Sequence, residues 1–178
     1  MKAIFLDRDG VLNRKAPEGS YITSWEQFEL LPGVIEAVRQ LRGAGFTVVV
    51  VTNQRGVAFG RMSRVELEDI HARLRALFTA QGAPLDAIYC CTHDVTDACP
   101  CRKPAPGMLL QAARERQIDL QRSWMIGDSD SDIEAGKRAG CRTVKVGLHP
   151  SISPPTGPDL FALSLMEAAT GILQREGR

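Results

Sequence analysis

Asp7 and Asp9 stand two residues apart where the apolar run Ala3-Ile4-Phe5-Leu6 ends, and Gly10 follows them. Four apolar residues bounded by charge read as a buried parallel strand, and period-2 geometry sends both carboxylates to one side as it runs out. Two like charges there repel unless a cation or a shared proton offsets them. A hard ion such as Mg²⁺, which takes oxygen ligands, is the candidate. A solvated strand-to-turn junction is the plainer alternative, and other segments must converge on the same place to displace it. Three do. The β-branched run Phe46–Val51 ends in Thr52-Asn53-Gln54, the run Trp124–Gly127 ends in Asp128 with Asp132 close behind, and Lys103 lies in a loop entering a helix. A hydroxyl, an amide, a lysine and several carboxylates around a cation make a phosphoryl-transfer site.

A second cluster has a different chemistry. Cys91-Thr92-His93 and Cys99-Pro100-Cys101 offer four soft or borderline ligands within eleven residues. Structural zinc takes four such ligands tetrahedrally. The spacing is tighter than paired Cys-x-x-Cys, and a disulfide is the alternative. Cys90 is a second possible ligand, although its place in a strand reads as a small buried hydrophobe, as does that of Cys141.

The elements that must position these groups alternate. Val34, Ile35, Val38 and Leu41 recur at helical spacing over 33–43, and Ser63 with Glu66 makes a capping box for a helix reaching about Gln81. Ala87–Cys90 reads as a short strand, Pro106–Arg116 as a helix, Ser131–Ala139 as a short helix and Thr143–Val146 as a strand. A loop at 153–158 precedes an amphipathic segment from Leu160 to about Leu173. Strands alternating with helices predict a Rossmann-like, doubly wound parallel α/β sheet in one domain spanning 1–178, without a large cap. Parallel topology brings all the polar strand ends to one edge. The irregular stretch 13–24 follows the Asp pair and could form a flap beside that edge.

The chain has 178 residues, 44% of them hydrophobic, enough for a full core, and a net charge of +1. That charge gives no electrostatic case for nucleic acid or an anionic membrane. No signal peptide or membrane span is visible, so a cytoplasmic, soluble protein is expected, and in that compartment cysteines suggest metal or reduced thiols.

Asp7-Arg8-Asp9-Gly10, Thr52-Asn53, Arg102-Lys103-Pro104 and Gly127-Asp128-Ser129-Asp130-Ser131-Asp132 match, in order, the four motifs of the haloacid dehalogenase (HAD) superfamily. Within it the chain resembles the heptose-bisphosphate and histidinol-phosphate phosphatases of subfamily IIIA over about residues 3–147, sharing Asp-Arg-Asp-Gly-Val-Leu-Asn, Val-Thr-Asn-Gln and Cys-Arg-Lys-Pro. The resemblance implies a phosphatase that uses Asp7 as nucleophile through an aspartyl-phosphate and Asp9 as general acid and base. It implies Mg²⁺ on the Asp7 side chain, the Asp9 carbonyl and Asp128, with Thr52 and Lys103 holding phosphoryl oxygens and Asp132 orienting the shell. Asp130 reads instead as an acid favouring a helix N-terminus.

The same phosphatases carry a Cys-x-His…Cys-x-Cys loop before Arg-Lys-Pro, which implies structural Zn²⁺ on Cys91, His93, Cys99 and Cys101, fixing the loop that presents Arg102 and Lys103. The intervening loop is shorter here than in typical heptose members. The expected substrate is a phosphorylated sugar, the 7-phosphate of D-glycero-D-manno-heptose 1,7-bisphosphate, in nucleotide-activated heptose and surface polysaccharide biosynthesis. Histidinol phosphate and a silent zinc scaffold are the alternatives. Asn53, Gln54, Arg55 and Arg102 are the candidate substrate contacts, and a monomer is expected. The family continues Thr-Asn-Gln with Ser-Gly and places an arginine before the next glycine. Here Arg55 replaces that serine and Phe59 stands where the arginine is expected. Arg55 reads equally as a phosphate ligand or a solvated loop residue, His71 as solvated or partly packed, and His149 has no role.

Overall fold

The computed structural model describes residues 1–147 and 157–177; His149 and most of the 153–158 loop fall outside them. Six parallel strands form one sheet: β1 (Ala3–Leu6), β2 (Thr47–Asn53), β3 (Ala87–Cys91), β4 (Trp124–Gly127), β5 (Arg142–Val146) and β6 (Leu160–Ala162), in the order β3-β2-β1-β4-β5-β6. The helices are α1 (Val34–Gly43), α2 (Arg64–Ala80), α3 (Gly107–Arg116), α4 (Asp130–Ala139) and α5 (Leu165–Glu176). This is the doubly wound arrangement expected from the alternation of strand and helix patterns.

The sheet is buried on both faces, which is why its central strands are unbroken apolar runs rather than alternating ones. Ile4, Leu6, Val48, Val50, Trp124 and Ile126 point to the side covered by α1, α2 and α5. Ala3, Phe5, Val49, Val51 and Met125, the intervening residues, point to the side covered by α3 and α4. Each large apolar side chain so buried contributes roughly 1.5–3 kcal/mol. The capping box at α2 forms as expected: Ser63 Oγ accepts from the Glu66 amide, and Glu66 accepts from the Ser63 amide.

Two features differ from expectation. The amphipathic segment from Leu160 to about Leu173 divides in two: a three-residue edge strand, β6, comes first, and Ser164 then caps α5. Its register with Val144–Val146 is a long-range pairing that three residues of local pattern do not encode. Cys90 is exposed and Cys91 buried, because strand alternation turns the second cysteine inward and the first outward.

From β1 the chain passes through α1 to β2 on one side and later through α3 to β4 on the other. The strand order therefore reverses beside β1, and a crevice opens outside the carboxyl ends of β1 and β4.

Candidate active site and Cys/His loop

The carboxyl ends of β1, β2 and β4 deliver their polar residues into one cleft of about 410 Å³, lined by Asp7, Asp9, Asn53, Lys103, Asp128 and Asp132 with the 15–22 flap as its other wall. That volume suits a small phosphorylated molecule.

Lys103 is the electrostatic centre. It comes from the loop between β3 and α3 and is 4% exposed. Its ammonium donates to Asp7 Oδ1 at 2.7 Å and the Val51 carbonyl at 2.8 Å, and pairs with Asp132 Oδ1 at 2.6 Å. Burial disfavours its charge, but Asp7 and Asp132 outweigh burial and hold Lys103 protonated. Burial pushes the Asp7 carboxyl up to about 7; Lys103 pulls it back only in part, and Asp132 adds to the rise. Asp7 is thus a carboxylate short of positive charge.

Asp9 is the opposite case. Its oxygens accept from Arg8 Nη2 at 3.0 and 3.1 Å, Asn13 Nδ2 at 2.9 Å and Gln54 Nε2 at 2.8 Å. Burial pushes its pKa up, yet Arg8 and these donors together bring it below the ordinary carboxylate value. Arg8 itself is fully buried, with Nη1 3.3 Å from His71 Nε2 and its guanidinium 5.7 Å from the Phe28 ring. His71 is not solvated: it is 5% exposed, and burial followed by the Arg8 charge pushes its pKa down to about 3. A neutral imidazole accepts from the guanidinium; an imidazolium would face it charge to charge.

The carboxylates of Asp7, Asp128 and Asp132 lie within 4.8 Å of one another. Asp128 Oδ1 is buried and makes no hydrogen bond, while Asp128 Oδ2 receives Lys15 Nζ from the flap at 2.8 Å. Asp132 is occupied twice, by Lys103 and by the Ser129 amide and hydroxyl at 3.0 and 2.6 Å. An all-oxygen set with one buried, unpartnered carboxylate oxygen fits a hard divalent cation held by Asp7 and Asp128, with Asp132 orienting Lys103. Two glycines make room. A Cβ on Gly10, which has φ +92°, would lie 2.4 Å from Asp128 Oδ2, and one on Gly127 would lie 2.1 Å from the Asp132 Cβ.

Other expected contacts take different places. Thr52 is fully buried and its hydroxyl accepts from Gln54 Nε2 at 2.8 Å, so it supports the site from behind through Gln54. Asn53 forms a two-way pair with the Lys103 backbone, both bonds 3.1 Å, and fixes that loop to the end of β2. Arg102 lines the cleft and donates to the His93 carbonyl at 3.3 Å. Arg55 does not line the cleft; its guanidinium pairs with Asp94 and covers Phe59. Arg8, Asn13 and Lys15 join the site without having been expected there. For Arg8 a signal existed, since alternation must turn the residue between two cleft carboxylates toward the interior.

Beyond the cleft, Cys91, His93, Cys99 and Cys101 converge. Sγ–Sγ separations are 3.2 to 3.6 Å, and His93 Nδ1 is 3.2 Å from Cys101 Sγ and 3.5 Å from Cys91 Sγ. A disulfide needs about 2.05 Å, and all five cysteines are free. Bonds of about 2.3 Å around tetrahedral zinc give edges of roughly 3.7 Å, so this donor set fits a closed zinc site. Asp130, in the first turn of α4, pairs with Lys145. Among the described residues no helix is long and apolar enough to cross a membrane.

Residues 100–162 match the HAD-hydrolase-like family model. The chain is 44% identical over 146 residues to D-glycero-beta-D-manno-heptose-1,7-bisphosphate 7-phosphatase of Pseudomonas putida, covering 82% of each chain. It is 40% identical over 150 residues to the D-glycero-alpha-D-manno-heptose-1,7-bisphosphate 7-phosphatase of Mycobacterium tuberculosis, covering 81% of this chain and 78% of that one. Among solved structures, the D,D-heptose 1,7-bisphosphate phosphatase of Bordetella bronchiseptica, complexed with magnesium and phosphate, superposes with a TM-score of 0.88 at 35% identity, over 98% of this chain and 99% of that one.

Proposed function

The chain belongs to the HAD-like heptose-bisphosphate phosphatases, and from that premise we propose that it hydrolyses the 7-phosphate of D-glycero-D-manno-heptose 1,7-bisphosphate. The observation that carries this is the Asp7–Lys103–Asp132 triad beside Asp128, in a cleft whose relative from Bordetella bronchiseptica is complexed with magnesium and phosphate. Asp7 attacks phosphorus and becomes an aspartyl-phosphate, splitting one hard hydrolysis into two easier steps. Lys103, already aimed at Asp7, follows the phosphoryl oxygens as charge moves onto them. Asp9 is the general acid and base: protonated on substrate binding against the pull of Arg8, Asn13 and Gln54, which favour its charged form in the free protein, it delivers that proton to the departing sugar oxygen and takes one back from the water that cleaves the intermediate. Asp7, Asp128 and the Asp9 carbonyl would hold Mg²⁺, which, when bound, offsets the repulsion between the Asp7 carboxylate and an incoming phosphate. Arg102, the cleft's outer cation, meets the substrate. Zinc in the Cys/His loop would stiffen the segment presenting Arg102 and Lys103. The protein works as a cytoplasmic, single-domain monomer.

Relatives named for the alpha and the beta anomer are both close to this chain, so the assay is steady-state turnover of both 1,7-bisphosphates against histidinol phosphate. The reading requires kcat/KM at least tenfold higher for one bisphosphate, which is about 1.4 kcal/mol of transition-state preference. Preference for histidinol phosphate overturns the substrate; no turnover of any phosphoester favours a scaffold.

A further inference from the structure

The loop after β2 and the Cys/His loop meet through Arg55, Phe59 and Asp94. The Arg55 guanidinium lies 4.2 Å above the Phe59 ring centroid and pairs through Nε with Asp94 Oδ1. Asp94 follows the candidate ligand His93 directly. Its carboxylate accepts from the Val95 amide at 2.6 Å and the Thr96 hydroxyl at 3.2 Å, capping the short helical turn Val95–Asp97 that forms the middle of the Cys/His loop. The Phe59 ring also meets Tyr21 of the flap, centroids 6.4 Å apart and tilted 56°. Tyr21 lines the cleft and seats on Gly56, where a Cβ would lie 3.1 Å from its ring. Phe59 is 45% exposed, so burial alone does not account for a large aromatic there; its contacts with Arg55 and Tyr21 do.

We propose that Arg55 and Phe59 are positioning residues, a brace through which the fold of the Cys/His loop holds Tyr21 and the 13–24 flap over the cleft. Exposed cation–π and ion-pair contacts are individually weak, and two in series are enough to bias a flap, though not to hold the fold together. The brace therefore acts on substrate affinity and leaves the chemical step alone. That kinetic arm rests on the phosphatase reading; the structural arm does not.

The test is hydrogen exchange of peptides covering the flap in the full chain, on wild type, F59A, R55M and D94N, with metal content measured for each. D94N keeps an N-capping side chain and removes only the ionic partner of Arg55. Flap amides should exchange roughly two- to tenfold faster in all three variants, with KM raised by a similar factor, kcat unchanged and R55K closer to wild type. Wild-type exchange in the flap, or a fall in kcat at constant KM, overturns the brace. Exchange is read without substrate, so the brace and the substrate assignment fail separately.

Discussion

His71 lies buried behind the catalytic strand with a charged guanidinium as its nearest polar neighbour, and that arrangement has a measurable pH signature. His71 Nε2 is 3.3 Å from Arg8 Nη1, Arg75 adds a second positive charge, and Asp9 alone favours protonation. Burial and these cations push its pKa down to about 3 from an ordinary value of 6.5. The sign follows from linkage: between those two values the unfolded chain binds the proton and the folded chain does not, so stability is complete above about pH 6.5 and is lost as pH falls. At pH 5 the unfolded histidine is charged by about thirtyfold over neutral while the folded one stays neutral, which corresponds to about 2 kcal/mol. Glutamine can accept from Arg8 through its carbonyl but does not titrate. Urea unfolding of wild type and His71→Gln at pH 7 and pH 5 should therefore show wild type losing about 2 kcal/mol more than the variant. Asp7 and the other carboxylates titrate in both proteins and cancel in the difference. Parallel stability losses in the two proteins would refute the neutral, guanidinium-facing histidine.

Other perturbations separate charge from space. Lys103→Met leaves Asp7 and Asp132 buried without their cation; turnover should vanish, and stability at neutral pH should fall by on the order of 3–5 kcal/mol in denaturant titration. A stable, active variant contradicts the triad. Gly10→Ala drives a methyl into the Asp128 carboxylate and should cost on the order of 10²-fold in kcat/KM, with magnesium protection against melting reduced alongside; unchanged magnesium protection contradicts the assignment of Asp128. Removing metal with a strong zinc chelator should lower melting temperature and activity together, and a metal-stripped sample that melts as before removes the zinc site.

The strand-ending carboxylates, the lysine loop and the Cys/His cluster were legible because each is a local pattern: an apolar run that stops, or ligands a few residues apart. What was not legible depends on side-chain direction or on distant pairing. Thr52 reads as a holder of phosphoryl oxygens and Asn53 and Gln54 as substrate contacts; Asn53 and Gln54 do line the cleft, but Gln54 donates to both Asp9 and the Thr52 hydroxyl, and Asn53 is tied to the Lys103 backbone. Nothing in a three-residue strand end says which polar groups satisfy one another. Arg55 read equally as phosphate ligand and solvated residue because Asp94, its partner, lies 39 positions away. β6 lies inside what reads as one amphipathic segment because three apolar residues carry no period of their own. Lys15, in a flap without periodicity, left no signal before its contact with Asp128 was seen.

Attack of Asp7 on phosphorus is tested most directly by acid-quenching the enzyme during turnover. Peptide mass analysis should place one phosphoryl group on the peptide containing Asp7, more of it accumulating in Asp9→Asn, where hydrolysis of the intermediate is slowed. Asp7→Asn should show neither phosphopeptide nor turnover while keeping the wild-type melting transition. Turnover by Asp7→Asn equal to wild type, or a phosphoryl group on another residue, would contradict the account.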